Sequence, residues 1–255
     1  MITTHSVWVG PRLGLMERLT LALLVQHGHA PILWSNDALD VPDGVELRAL
    51  PRDVLPPIGF AGKPHPHIPS GGIGSLAHWS DYFAFQVLHR FGGVWVQMDC
   101  AVTAQLELPD YTFSGWQKGI SPVVMSVPKG SVFAEDMARI LGLMLVDGMA
   151  GRDWHDAMKA IHDGLHRHGI RYSLLSNYVD CGGVELSPYT HPIRADAIHW
   201  SNATHHTSKE WPTAGSEYER LCVVSGLIGP RKTLKKQNQK AHEHGMQKVD
   251  IGGES

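Results

Sequence analysis

An apolar run, Val94-Trp95-Val96, gives way to Gln97-Met98-Asp99. A strand that delivers polar side chains from its C-terminal end is where open α/β sheets place ligand sites. An amide and a carboxylate in that position can donate to and accept from a polar ligand. Upstream, Ser80-Asp81 falls in a helix-patterned stretch that stops at Gly92-Gly93. Downstream, His205-His206 precede Trp211. Each feature alone has a plain structural reading. The glycine pair ends a helix, Asp99 caps a turn, Trp95 packs in a core, and the two histidines form a surface pair. Their order and spacing together point to a site.

Periodicity supplies the elements that would position these residues. Thr4 to Val9 alternates loosely and reads as a first strand, broken at Pro11. Leu13 to His27 sets Leu15, Leu19, Ala22, Leu23 and Leu24 at helical spacing, with Gly28 as the stop. Pro31 to Trp34 and Val45 to Leu50 read as further strands. This β-α-β start predicts a parallel sheet with helices on its faces.

Pro51 to Gly74 is rich in Pro, Gly and His and reads as a loop. Ser75 caps a predicted helix running to Arg90, with Trp79, Phe83, Val87 and Leu88 on its apolar face. Val94 to Met98 is then a strand running into Asp99. Val123 to Val127 reads as a strand, Pro128-Lys129-Gly130 as a turn, and Ser131 to Val146 and Asp153 to His168 as helices. Asn177 to Ser187 is a loop or sheet edge, and Ile193 to Trp200 a late strand.

Hydrophobic residues make up 43% of the 255 and charged residues 18%, enough to bury a substantial core. The net charge of −3 gives no global pull toward nucleic acid or anionic membranes. Cys100, Cys181 and Cys222 form no C-x-x-C pair, which argues for buried free thiols in a reducing compartment and against a zinc knuckle. No apolar stretch approaches the roughly 18 to 20 residues of a membrane span, and no leader pattern is visible. The expectation is a soluble cytoplasmic protein without an integral membrane segment. One domain over 1–228 is expected, followed by a polar basic tail over 229–255 that carries Arg231, Lys232, Lys235, Lys236 and Lys240.

The block Ser80-Asp81 … Gly92-Gly93-Val94-Trp95-Val96-Gln97-Met98-Asp99 resembles DXD-motif glycosyltransferases of the bacterial capsule and lipopolysaccharide type. In that family a helix beginning Ser-Asp leads to Gly-Gly, an aromatic strand and Asp-x-Asp. Trp8-Val9-Gly10, Leu15-Met16-Glu17-Arg18-Leu19 and His27-Gly28-His29 resemble its first β-α unit, and His205-His206 … Trp211 its His-His … Trp signature. The likeness spans about Thr4 to Trp211. It implies a GT-A fold: a Rossmann-like α/β nucleotide-diphospho-sugar transferase with a mixed central sheet flanked by helices.

The resemblance also implies the chemistry. A sugar nucleotide departs as a diphosphate, and a divalent ion, Mn²⁺ or Mg²⁺, neutralises the charge that builds there. Such ions prefer oxygen ligands and tolerate an imidazole. By this likeness Asp99 is the main metal ligand, completed by His205 or His206. Asp81 contacts donor sugar hydroxyls. Trp8 and Gly10 pack the nucleotide base, and Gln97 and Trp116 join the donor site. Asp81, Gln97 and Asp99 are the catalytic set.

Two positions depart from the pattern. Gln97 replaces the first acid, which removes one negative charge. Ala84 stands where many relatives carry an arginine.

The implied activity moves a sugar, from a UDP-sugar by preference, to a hydroxyl acceptor with retention. The acceptor is a glycan or, given the basic tail, a hydroxymethylated base in phage DNA. A sugar-nucleotide-binding protein without turnover is the second reading, motivated by Gln97 and Ala84. A His/Asp metallohydrolase is the third, motivated by seventeen histidines. That third reading needs H-x-x-x-H or H-E-x-x-H on a helix. The expectation is that no helix carries it and that His65-Pro66-His67 is a loop pair without a carboxylate partner.

Overall fold

The structure is a computed structural model and describes residues 1–54, 76–116, 119–146, 155–180, 194–200, 212 and 214–230. The expected β-α-β start is present. β1 (Ile2–Val7) leads through α1 (Leu15–Gln26) to β2 (His29–Trp34), and β3 (Glu46–Arg48) follows. These strands pair in parallel, β1 with β2 over its whole length and β2 with β3. After α2 (Leu76–Phe91) the chain returns to the other side of β1 as β4 (Val94–Val96), again parallel.

Beyond β4 the direction changes. β5 (Cys100–Val102) leaves the sheet, and β6 (Thr112–Trp116) and β7 (Gly119–Ser126) form a hairpin. β7 pairs antiparallel with β4. α3 (Val132–Val146), α4 (Asp156–Arg167) and the short β8 (Ser173–Leu174) follow. The result is a mixed seven-stranded sheet in the order β3-β2-β1-β4-β7-β6-β8. A second sheet, β5-β10-β9, is built from β9 (Tyr178–Asp180) and β10 (Ala197–His199), and α5 (Glu217–Val224) follows it.

Alternation along β4 divides the core between the two faces of the main sheet. Trp95 packs on one side with Phe83 and Val87 of α2, Phe133 and Met137 of α3, and Ile161 and Leu165 of α4. Val94 and Val96 face the other side, against Cys100, Val102 and Ala197 of the small sheet. Met16, Leu19 and Leu23 of α1 pack on Ile198, Trp200 and the α5 residues Tyr218 and Leu221. This is two helical or sheet layers on a central sheet, each burying one apolar face.

Several boundaries differ from the sequence reading. β4 stops at Val96, because Gln97–Asp99 turn to send the chain into β5. β5, β6 and α5 were not expected. The α5 start nevertheless carries a capping signal, since Ser216 Oγ accepts from the Glu219 backbone N–H and Glu219 accepts from Gly215 N. Cys100 and Cys222 are buried free thiols, as expected. Ser75, His65-Pro66-His67, Cys181, His205, His206, Trp211 and the segment 231–255 lie outside the described residues. Among the described residues no helix is long and apolar enough to cross a membrane.

One expectation is overturned. His162 and His166 stand four apart on α4, so H-x-x-x-H does occur on a helix. No acidic ligand joins them in a cluster of three or more, and none of that kind forms anywhere among the described residues.

Candidate active site

The strand order places a topological switch between β1 and β4. From β1 the chain builds outward to β2 and β3, then returns to the opposite flank. The chain leaves the C-terminal end of β1 toward β2 and that of β4 toward β5, and the crevice outside these two ends is the usual ligand position in such sheets. A cavity of about 230 Å³ lies there. Val7, Trp8 and Val9 of the β1 end line it, with Trp95, Gln97, Met98 and Asp99 of the β4 end and Ser80 of α2. Its volume is below the roughly 300–1,000 Å³ of whole-ligand sites and suits a single ring-sized moiety. Two larger hollows, of about 710 and 700 Å³, lie elsewhere and contain none of these residues.

The turn at Gln97–Asp99 is held from four directions. Gln97 N donates to Val123 O of β7 at 2.9 Å, and Cys100 N closes the turn on Gln97 O at 3.2 Å. Thr20 of α1 donates its hydroxyl to Met98 O at 2.9 Å. Trp200, just after β10, donates N–H to Asp99 O at 2.9 Å. Ser6 Oγ adds a bond from β1 to Val96 O at 2.7 Å. The backbone of the site is thus fixed by the sheet, a helix and the second sheet, which suits a rigid binding constellation.

Two side-chain groupings set the electrostatics. Asp81, on α2, is buried, and Gln97 Nε2 donates to its Oδ1 at 3.3 Å. Burial raises the Asp81 carboxyl to about 7, against a smaller lowering by the Gln97 hydrogen bond. With its amide N–H₂ turned to Asp81, Gln97 has its carbonyl oxygen as the acceptor for anything else. On the other side, His199 Nε2 lies 3.5 Å from Asp99 Oδ2 and its Nδ1 lies 3.6 Å from Asp180 Oδ1. Burial works to lower the His199 imidazole, but the charges and hydrogen bonds of Asp99 and Asp180 outweigh it and raise it to about 9.

The sequence-predicted residues fall as follows. Trp8 lines the cavity, with its indole N–H donating to Arg12 O. Gly10 adopts φ +145° and donates its N–H to Asp37 Oδ2. Gln97 and Asp99 of the β4–β5 turn line the cavity, and Asp81 of α2 stands behind Gln97, buried and joined to it by the hydrogen bond. The backbone of Trp116 ends β6 at the same end of the sheet, opposite Gly119. Ala84 is fully buried in the core. Asp180, His199 and Asp37 were not singled out by sequence reading. None belongs to a recognisable spacing, and only the pairing of β10 with β5 and β9 brings Asp180 and His199 to Asp99.

The chain is thus a mixed α/β architecture with a polar turn at its switch point. No protein-family model and no curated protein sequence matches the chain. Solved structures do. The apo glycosyltransferase GlyE of Streptococcus pneumoniae TIGR4 matches with a TM-score of 0.54 at 13% identity, over 88% of this chain and 60% of that one. An active-site variant of LgtC matches with a TM-score of 0.52 at 13% identity, over 90% and 97%. The galactosyltransferase LgtC with donor and acceptor sugar analogues gives 0.49 at 12% identity, over 90% and 97%. At these identities the likeness is one of fold: the chain has the mixed α/β GT-A fold of glycosyltransferases.

Proposed function

We propose that the chain is a glycosyltransferase that moves a sugar from a nucleotide-sugar donor, a UDP-sugar by preference, to a hydroxyl of a glycan acceptor. The observation that carries this reading is the position of Gln97–Asp99. A carboxylate-bearing turn stands at the switch point of a sheet with the fold of GlyE and LgtC, and LgtC has been solved with donor and acceptor sugar analogues.

The residues suit that chemistry. Asp99, with His205 or His206, would hold Mn²⁺ or Mg²⁺, and a bound ion supplies Lewis-acid neutralisation of the departing diphosphate. Asp99 has two carboxylate oxygens, and His199 faces Oδ2. Such a donor set would be one hard carboxylate, the neighbouring Gln97 amide oxygen and one imidazole, which fits such an ion. Asp81, its carboxyl raised by burial, would bear on a sugar hydroxyl in the cavity through Gln97, which donates to it. Gln97 orients it. Trp8 offers an aromatic wall for the nucleotide base. His199, held between Asp99 and Asp180, acts as a positioning residue for the Asp99 carboxylate.

Retention with front-face attack asks for no protein nucleophile, because positioning and electrostatics carry the barrier. The second reading, donor binding without turnover, draws on Gln97, whose amide replaces an acid, and on Ala84. Incubation with UDP-, GDP-, CMP- and dTDP-sugars and Mn²⁺ separates the two. Release of the leaving nucleotide (the nucleoside diphosphate, or CMP from a CMP-sugar), as hydrolysis or transfer, supports the enzyme. Measurable donor binding with no release from any donor supports the binding protein.

A further inference from the structure

Away from the cavity, α4 carries His162 and His166 one turn apart on one face. Their ring centroids are 4.5 Å apart, with the planes inclined at 66°. Two imidazoles sharing one ion at about 2.0–2.1 Å per nitrogen, with an angle of about 90–109° at the metal, hold their centroids about 4.5–5.2 Å apart. The pair is therefore already at chelating distance. We infer that His162 and His166 form a second, surface metal site, for a borderline divalent ion of the Cu²⁺, Ni²⁺ and Zn²⁺ class.

The surroundings agree. The Asp163 carboxylate lies 3.9 Å from His162 Nδ1 and adds a negative charge beside the pair that favours a bound cation. The opposite face of α4 is anchored: Ala157, Ile161, Gly164 and Leu165 are buried, so the helix presents the two rings from a fixed scaffold. His168 is diverted to Asp136 at 3.2 Å and takes no part. His155 stands two helical turns before His162, about 10 Å along the axis, beyond chelating reach. Imidazole-only ligation selects against the hard Mn²⁺ or Mg²⁺ proposed at Asp99 and favours ions in the order Cu²⁺ over Ni²⁺ over Co²⁺. Two protein ligands leave the other positions to water, so the ion is exchangeable rather than structural.

The test is calorimetric titration of the full chain with Ni²⁺ alone, without nucleotide. His162→Gln and His166→Gln should each remove one equivalent of bound Ni²⁺, its affinity falling at least about tenfold. A re-spaced variant, His166→Gln with Arg167→His, keeps seventeen histidines but breaks the i,i+4 geometry, and it should lose the same equivalent. Asp99→Ala and His155→Ala should keep it. Both positions are on the helix surface, and far-ultraviolet circular dichroism confirms that each variant stays helical. A re-spaced variant that binds Ni²⁺ with unchanged stoichiometry and affinity overturns the site. The outcome is independent of any nucleotide-sugar activity.

Discussion

Asp81 and His199 carry the charge states that the fold has altered most clearly within the site. Asp81 holds its proton up to about pH 7 in the folded protein, against 3.8 ordinarily. The native state therefore binds more protons than the unfolded chain between these values, and stability falls as pH rises through the window. A single group contributes a slope of up to about 1.4 kcal/mol per pH unit. The buried His5 imidazole, lowered to about 4, works in the opposite direction over the same window, so the Asp81 contribution is read as a difference: Asp81→Asn should gain stability relative to wild type as pH rises from 4 to 7. His199 shifts in the same sense over a later window, from 6.5 to about 9. Its contribution is complete below pH 6.5 and is lost as pH climbs through 9. His199→Asn should remove that decline, and an unchanged decline from pH 6.5 to 9 would show that the Asp99–His199–Asp180 grouping does not hold the proton. At this scale the sequence exposed Asp81, Gln97 and Asp99 through their order around Gly92-Gly93. It hid His199 and Asp180, because their significance lies in strand pairing across distant segments rather than in any local spacing.

The α2–β4 corner shows how an element delivers a site. Gly92 and Gly93 both take positive φ, +71° and +86°. Gly92 N–H still reaches Leu88 O, closing the helix, and the chain then turns directly into β4. A Cβ on Gly93 would stand 2.7 Å from the Thr3 carbonyl oxygen of β1, a backbone atom that cannot step aside. Gly93→Ala should therefore cost about 1–3 kcal/mol through strain and the close contact. A melting temperature within a degree of wild type would show that the corner relaxes freely. The helices were legible because α1, α2, α3 and α4 each keep an apolar stripe through their length. β4 was read two residues too long because Met98 is apolar and buried, although the chain already turns there. β7 was read only in its second half, as Val123 to Val127, and β6 and β5 eluded periodicity because strands buried on both faces show no alternation.

For the molecule as a whole, strand order matters more than any single residue. β3-β2-β1-β4 places Trp8 and Asp99, 91 residues apart in sequence, on two sides of one crevice. The start of that order was legible from the β-α-β pattern. The antiparallel half and the small sheet that supports Asp99 from below were not, because they rest on long-range pairing. The central claim is that this crevice binds a nucleotide sugar with a divalent ion on Asp99. Its most direct measurement is thermal unfolding of wild type and Asp99→Ala with UDP-, GDP-, CMP- and dTDP-sugars, each with and without Mn²⁺. A ligand that binds only the native state at a hundred times its Kd adds about 2.7 kcal/mol of apparent stability. A Mn²⁺-dependent rise in Tm is expected with at least one donor, strongest with a UDP-sugar, and Asp99→Ala should abolish it. A Mn²⁺-dependent rise that survives intact in Asp99→Ala, or no rise with any donor, would contradict the claim.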